Sequence, residues 1–144
     1  MRLSSQKVLL LLAISAIACR DTTAPATITR QFFLNDINGR TLPTDLETPG
    51  LAVTIVSGSL VLDNAGTAVI TESRIDTDGV ARTSTLSYKY RINGSQLIFE
   101  VSCPPYALCV GPPAGTISAD GLAVEIDQFG ASGIKYEYRA LGVI

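Results

Sequence analysis

Several short runs of this chain alternate strictly between apolar and polar residues, and this pattern constrains its fold more than anything else in the sequence. In residues 86–92, Leu86, Tyr88, Tyr90 and Ile92 fall on one side and Ser87, Lys89 and Arg91 on the other. In residues 134–140, Ile134, Tyr136, Tyr138 and Ala140 oppose Lys135, Glu137 and Arg139. Leu97, Phe99 and Val101 oppose Glu100, while Leu122, Val124 and Ile126 oppose Glu125 and Asp127. A period of two places successive side chains on opposite faces of a strand, one buried and one wet. Helix signals are nearly absent after residue 30. Asn38-Gly39, Asp63–Gly66, Asp76–Gly79, Asn93-Gly94, Asp120-Gly121 and Gly130–Gly133 punctuate the chain with residues that permit the positive φ of tight turns. The pattern predicts an all-β fold of about eight strands, near 31–37, 51–57, 59–63, 67–75, 82–92, 96–102, 114–119 with 122–128, and 134–141. The simplest path is an antiparallel up-and-down meander. Eight strands can close into a barrel, which removes exposed edges; a two-sheet β-sandwich is the alternative. Near Gly58 the apolar phase slips from odd (Val53, Ile55) to even (Leu60, Leu62). A bulge or bend there would restore register or merge the second and third spans.

The N-terminus follows a different logic. Arg2 and Lys7 precede an apolar run, Val8–Ala18, interrupted only by Ser15. Eleven residues fall short of the roughly 20 that cross a bilayer, but fit the core of a secretory signal peptide. The run ends in Ala16-Ile17-Ala18-Cys19, which resembles the lipobox of bacterial lipoproteins. The resemblance implies cleavage after Ala18 and acylation of Cys19. An ordinary secreted protein cut at Ala18 and a buried N-terminal helix are the competing readings; the run has no polar face, which weighs against the helix. The expected organisation is a signal peptide over 1–18, a lipidated N-terminus and tether over 19–29, and a β domain over 30–144. A polar tether of about nine residues reaches roughly 15–18 Å on average. Arg20 follows Cys19 where an aspartate would resemble an inner-membrane retention signal, so the expected location is the bacterial cell envelope, lipid-anchored at the outer membrane.

Cleavage would leave 126 residues, enough for one domain with a real core. Without Arg2 and Lys7, the 11 basic residues become 9 against 13 acidic ones, a net charge of −4. No basic cluster is present, which discounts nucleic acid as a partner. With Cys19 lipidated, Cys103 and Cys109 remain as a pair in an oxidising compartment, where a disulfide is expected. A ring this small contributes roughly 2 kcal/mol in the chain-entropy account.

A wider resemblance rests on Asn38-Gly39 with Leu42-Pro43, Gly58–Leu62 before a turn, Tyr90–Gly94 with Leu97–Phe99, Gly115–Ile117, and Tyr136–Arg139. Over about residues 30–141 these segments resemble small bacterial lipoproteins with a lipocalin-like β-barrel domain, most of them uncharacterised. The resemblance implies a barrel or half-barrel, an apolar ligand as one possible cargo, and no catalytic residues.

The composition removes much chemistry. Histidine is absent, which excludes Ser-His-Asp and Cys-His catalysis and imidazole-based zinc sites. No phosphate-binding glycine loop or nucleophile elbow occurs. Glu125 with Asp127, and Glu72 with Arg74, share strand faces and are expected to point to water. Asp76-Thr77-Asp78-Gly79 resembles the start of a calcium loop, but Ser87 stands where the bidentate acid is needed. Asn93-Gly94-Ser95 reads as a turn. No enzyme activity, metal or cofactor is expected.

Two groups of residues remain as candidates. Tyr88, Tyr90, Phe99, Tyr136 and Tyr138 point inward by alternation. They either fill the barrel, with hydroxyls bonded at its ends, or line a pocket for a small apolar or amphipathic ligand. The segment Cys103–Pro113 holds four prolines and the apolar Tyr106, Leu108 and Val110. It either contacts an envelope partner or folds back as a plug. The expected function is a membrane-anchored envelope lipoprotein that binds a small apolar ligand; the alternative is an interaction or structural module with a filled core that meets a partner through loop 103–113.

Overall fold

The computed structural model describes residues 29–48, 51–100, 112–128 and 133–141, and every regular element among them is a strand. In chain order these are β1 (Arg30–Ile37), β2 (Arg40–Thr41), β3 (Thr44–Thr48), β4 (Leu51–Leu62), β5 (Thr67–Asp76), β6 (Ala81–Asn93), β7 (Gln96–Glu100), β8 (Ala114–Ile117), β9 (Ala123–Gln128) and β10 (Ile134–Ala140). From β4 to β10 each strand pairs antiparallel with its chain neighbours, and β1 closes the ring by pairing with both β10 and β4. The fold is therefore a closed eight-stranded up-and-down barrel of β1 and β4–β10, not a sandwich. The spans expected at 51–57 and 59–63 are one strand, β4, and the span expected at 114–119 with 122–128 is two, β8 and β9.

β2 and β3 fill a wedge. β1 and β4 pair only over Arg30–Phe33 against Leu62–Ser59 and then splay apart. Beyond that point β2 pairs with the end of β1, and β3 with the first half of β4. Each splaying strand carries one extra residue at the junction, Asn35 in β1 and Val56 in β4. Such bulges bend a strand and raise its twist, which lets a sheet open locally. The Asn35 insertion also allows Phe32, Leu34 and Ile37 to face inward together, despite their uneven spacing. The β1–β2 turn is Asn38-Gly39, with φ of 51° and 74°, the left-handed pair that a two-residue hairpin demands. The Asn38 side-chain oxygen accepts a hydrogen bond from the Lys135 amide at 2.8 Å, tying this turn to the start of β10.

The barrel has two distinct ends. One holds Arg30, the β4–β5, β6–β7 and β8–β9 turns and the exit of β10. The other holds the β1–β2 and β5–β6 turns, the end of β7 at Glu100 and the start of β8 at Ala114. Between them lies a continuous core that includes Phe32, Leu34, Leu60, Ile70, Leu97, Phe99, Val124, Ile126, Tyr136 and Tyr138. An eight-stranded barrel is just wide enough to be filled by side chains or to hold one small ligand. Two glycines make room for the large fillers. A Cβ on Gly115 would lie 3.3 Å from the Phe99 ring, and one on Gly58 would lie 3.0 Å from Leu34 Cδ2.

Alternation overreaches at three positions. Leu86, Ile92 and Leu122 carry the inward phase but are 46%, 48% and 53% exposed. Ile92 and Leu122 sit at the Arg30 end, beside turns that do not cover them. Leu86 lies opposite Ile70 of β5, on a stretch of β6 whose other edge pairs with no described strand, since β7 reaches back only to Lys89.

Candidate functional site

The aromatic residues divide into two tiers. Tyr136 and Tyr138 are 2% and 1% exposed and Phe99 is 3% exposed, all within the core. Tyr88 and Tyr90 on β6 are half-buried against that core. Tyr88 meets Phe99 edge to face, with ring centroids 5.6 Å apart. The Tyr90 hydroxyl donates to the Asp63 carbonyl at 2.7 Å, so its polar tip is spent on the β4–β5 turn at the barrel end. Burial pushes the Tyr136 and Tyr138 hydroxyls far above the usual phenol range, and the nearby Glu72 charge adds to this. This set is the wall and filling of a packed interior.

A polar chain runs from that interior to the end of the barrel away from Arg30. The Tyr136 hydroxyl donates to Glu72 Oε2 at 3.2 Å. Glu72 lies 3.8 Å from the Arg74 guanidinium, which bonds Asp76 at 2.9 Å; Arg82 bonds Asp76 and reaches Asp78 at 2.9 Å. The expectation that Glu72 and Arg74 point to water is corrected here. Ala68 and Ile70 are buried on the even phase of β5, and that phase carries straight on to Glu72, Arg74 and Asp76. Burial raises the Glu72 carboxyl above its ordinary value, with the Tyr136 hydrogen bond and the Arg74 charge opposing the rise. Each charge in the chain has a partner, so the arrangement reads as a satisfied polar plug at one mouth.

Glu125 does face outward, as expected, ion-paired with Lys135 at 2.8 Å. Glu125, Asp127 and Lys135 border a groove of about 450 Å³ on the outer wall of β7–β10, with Gln96, Ile98, Thr116 and Pro112. One carboxylate oxygen of Asp127 is buried there with no hydrogen-bond partner among the described residues. An unsatisfied buried acceptor costs about 1–3 kcal/mol, and a donor brought by an incoming molecule would recover it. Sequence spacing places Asp127 on the outer face but gives no sign that Pro112 and Pro113 wall it in.

A second concavity lies at the Arg30 end. Clefts of about 430 Å³ and 210 Å³ share Arg30, Ile92 and Ile117 as walls. Ser95, Ser118 and Asp120 line the larger and Tyr90 the smaller. Sequence reading passes over Arg30 because nothing about an arginine at the start of a strand marks it as facing a cleft.

The lipidation candidate Cys19, the disulfide candidates Cys103 and Cys109, and the contact candidates Tyr106, Leu108 and Val110 lie outside the described residues. Loop 103–113 begins beyond Glu100 and rejoins the structure at Pro112. In comparisons with known proteins, no family model, no curated protein and no solved structure matches the chain.

Proposed function

We propose that this chain is a bacterial envelope lipoprotein, anchored at the outer membrane by acylation of Cys19, whose barrel docks a partner through its outer surface. The observation that carries this reading is the filling of the interior. Phe99, Tyr136 and Tyr138, the residues best suited to line a ligand cavity, are packed among their neighbours at 3% exposure or less. The feature left to act lies outside: the groove under Pro112. The segment that precedes Pro112 in sequence carries Tyr106, Leu108 and Val110, with Cys103 and Cys109 expected to pair. A groove holding an unsatisfied acceptor, next in sequence to a proline-rich segment with apolar side chains, suits recognition of another surface. No reaction is assigned to the chain. The Val8–Cys19 pattern supports the address, and the lipocalin-like barrel is the architecture expected from the resemblance.

The test is in-cell photocrosslinking from residue 116 in the groove and residue 106 in the loop, with residue 71 on β5, across the barrel from β8 and β9, as control. One shared adduct from 106 and 116, absent from 71, supports docking. No adduct from a correctly located protein removes it. A second reading, favoured by the groove's volume, places a small amphipathic ligand on this outer wall; pockets of roughly 300–1,000 Å³ serve such ligands. Native mass spectrometry of membrane-extracted protein separates the two.

A further inference from the structure

We infer that the Arg30 end of the barrel seats on the headgroup layer of the membrane that holds Cys19, with the Arg30 guanidinium against lipid phosphates and Ile92, Leu122 and Leu141 at the edge of the apolar layer. The inference rests on the lipid-anchor reading and adds an orientation to it. Three observations carry it. First, the chain enters the barrel at Arg30, eleven positions after Cys19. Ten intervening residues span at most about 33–36 Å and on average much less, so this end is held near the bilayer whatever the barrel does. Second, the same end exposes the apolar side chains Ile92 (48%), Leu122 (53%) and Leu141 (73%) around its rim. Exposed aliphatic groups beside cations match the layered polarity of a membrane interface. Third, Arg74, Arg82, Arg91 and Arg139 are each ion-paired, whereas Arg30 at this end and Arg40 at the other form no ion pair among the described residues. Arg30 lines two clefts, one with Ser95, Ser118 and Asp120 and one with Asn64 and Tyr90. An arginine fork beside the Ser95 and Ser118 hydroxyls suits phosphate oxygens.

The seat also explains the barrel's polarity. Glu100 and Ala114, which bracket loop 103–113 in sequence, lie at the opposite end, so seating on Arg30 turns these two strand ends away from the lipid.

The chain contains no tryptophan, so a single introduced one is an unambiguous reporter. Lipidated protein carrying Leu122→Trp is placed in anionic vesicles containing lipids brominated just below the headgroup, and Val80→Trp at the opposite end serves as the comparison. The expected result is a blue-shifted emission for Leu122→Trp and quenching several-fold stronger than for Val80→Trp. Adding Arg30→Gln should weaken the quenching at residue 122 in anionic vesicles and change it little in zwitterionic ones. Ile92→Trp should behave as Leu122→Trp does. Equal quenching at 80 and 122, stronger quenching at 80, or none at either on vesicles that carry the protein would overturn the seat. Protein that fails to float with vesicles, or lacks acyl mass on Cys19, counts against the anchor instead. The same tryptophan variants are then read on nickel-chelating vesicles through a hexahistidine placed before Cys19, where the same outcomes decide the orientation.

Discussion

Closure of the barrel depends on β1 meeting β4, and Gly58→Ala probes that junction. Gly58 faces inward opposite Glu72. A Cβ there would lie 3.0 Å from Leu34 Cδ2, 3.1 Å from Leu34 Cβ and 3.3 Å from the Thr71 carbonyl oxygen. The first atom can swing away with its rotamer. The other two are fixed by the backbones of β1 and β5, so relief requires the strands to part. Overpacking of this kind costs about 1–3 kcal/mol, and the lower unfolded-state entropy of alanine returns about 0.4–1 kcal/mol. A net loss of about 1–2 kcal/mol is expected, roughly 3–8 °C in Tm for a domain of this size. Leu34→Ala alone should cost about 2–5 kcal/mol by opening a cavity. In that background the Cδ2 clash is gone, so Gly58→Ala should cost about 1 kcal/mol less than in the parent, a coupling that a double-mutant cycle resolves. The assay is urea unfolding followed by circular dichroism for the four proteins. A Gly58→Ala chain at least as stable as the parent, with no coupling to position 34, would mean that Leu34 does not pack across onto β4.

Other expectations follow from the polar chain and the tyrosines. Burial raises the Glu72 pKa, so the folded state holds that proton more tightly than the unfolded chain; stability present below the ordinary value of 4.5 is lost as pH rises through the folded pKa. Glu72→Gln should therefore be more stable than the parent at pH 7, with the gap closing as pH falls through the folded pKa toward the ordinary value of 4.5; a gap independent of pH would refute the assignment. Tyr136→Phe removes the donor to Glu72 and should cost about 1–3 kcal/mol at neutral pH, less once Glu72 is protonated or replaced by Gln. Of the five tyrosines, Tyr136 and Tyr138 should ionise only as the barrel unfolds in alkali, with stability falling above about pH 10, which ultraviolet titration reads directly. Tyr90→Phe should cost about 1 kcal/mol by releasing the Asp63 carbonyl of the β4–β5 turn.

Much of this fold is legible in residue parity. Leu97 with Phe99, Val124 with Ile126, and Tyr136 with Tyr138 read as inward from spacing alone, because each sits in the middle of a strand with neighbours on both sides. The phase slip around Gly58 shows that one residue is inserted between Ile55 and Leu60; parity cannot say which, and the extra residue is Val56. β3 is hidden because Thr44–Thr48 has Leu46 as its only apolar side chain. It forms because β4 leaves an unpaired edge where β1 splays away, a tertiary cause with no local signal. Glu72 was readable by extending the Ala68–Ile70 phase two more residues, but charge argues for solvent more loudly than parity argues against it, until the Tyr136 hydroxyl and Arg74 are known to be waiting inside. The Arg30 cleft and the groove under Pro112 are assembled from three or more strands each, a juxtaposition that closure creates and linear spacing does not encode.

The account turns on whether the barrel's interior is occupied by its own side chains. Xenon enters dry apolar cavities and leaves close-packed cores alone, so xenon-129 NMR on the parent and on Tyr138→Ala reads the interior directly. The parent should show no saturable uptake, while the truncation opens a void that binds the gas. Saturable binding by the parent as strong as that of Tyr138→Ala would reveal a hollow barrel and return the ligand to its centre.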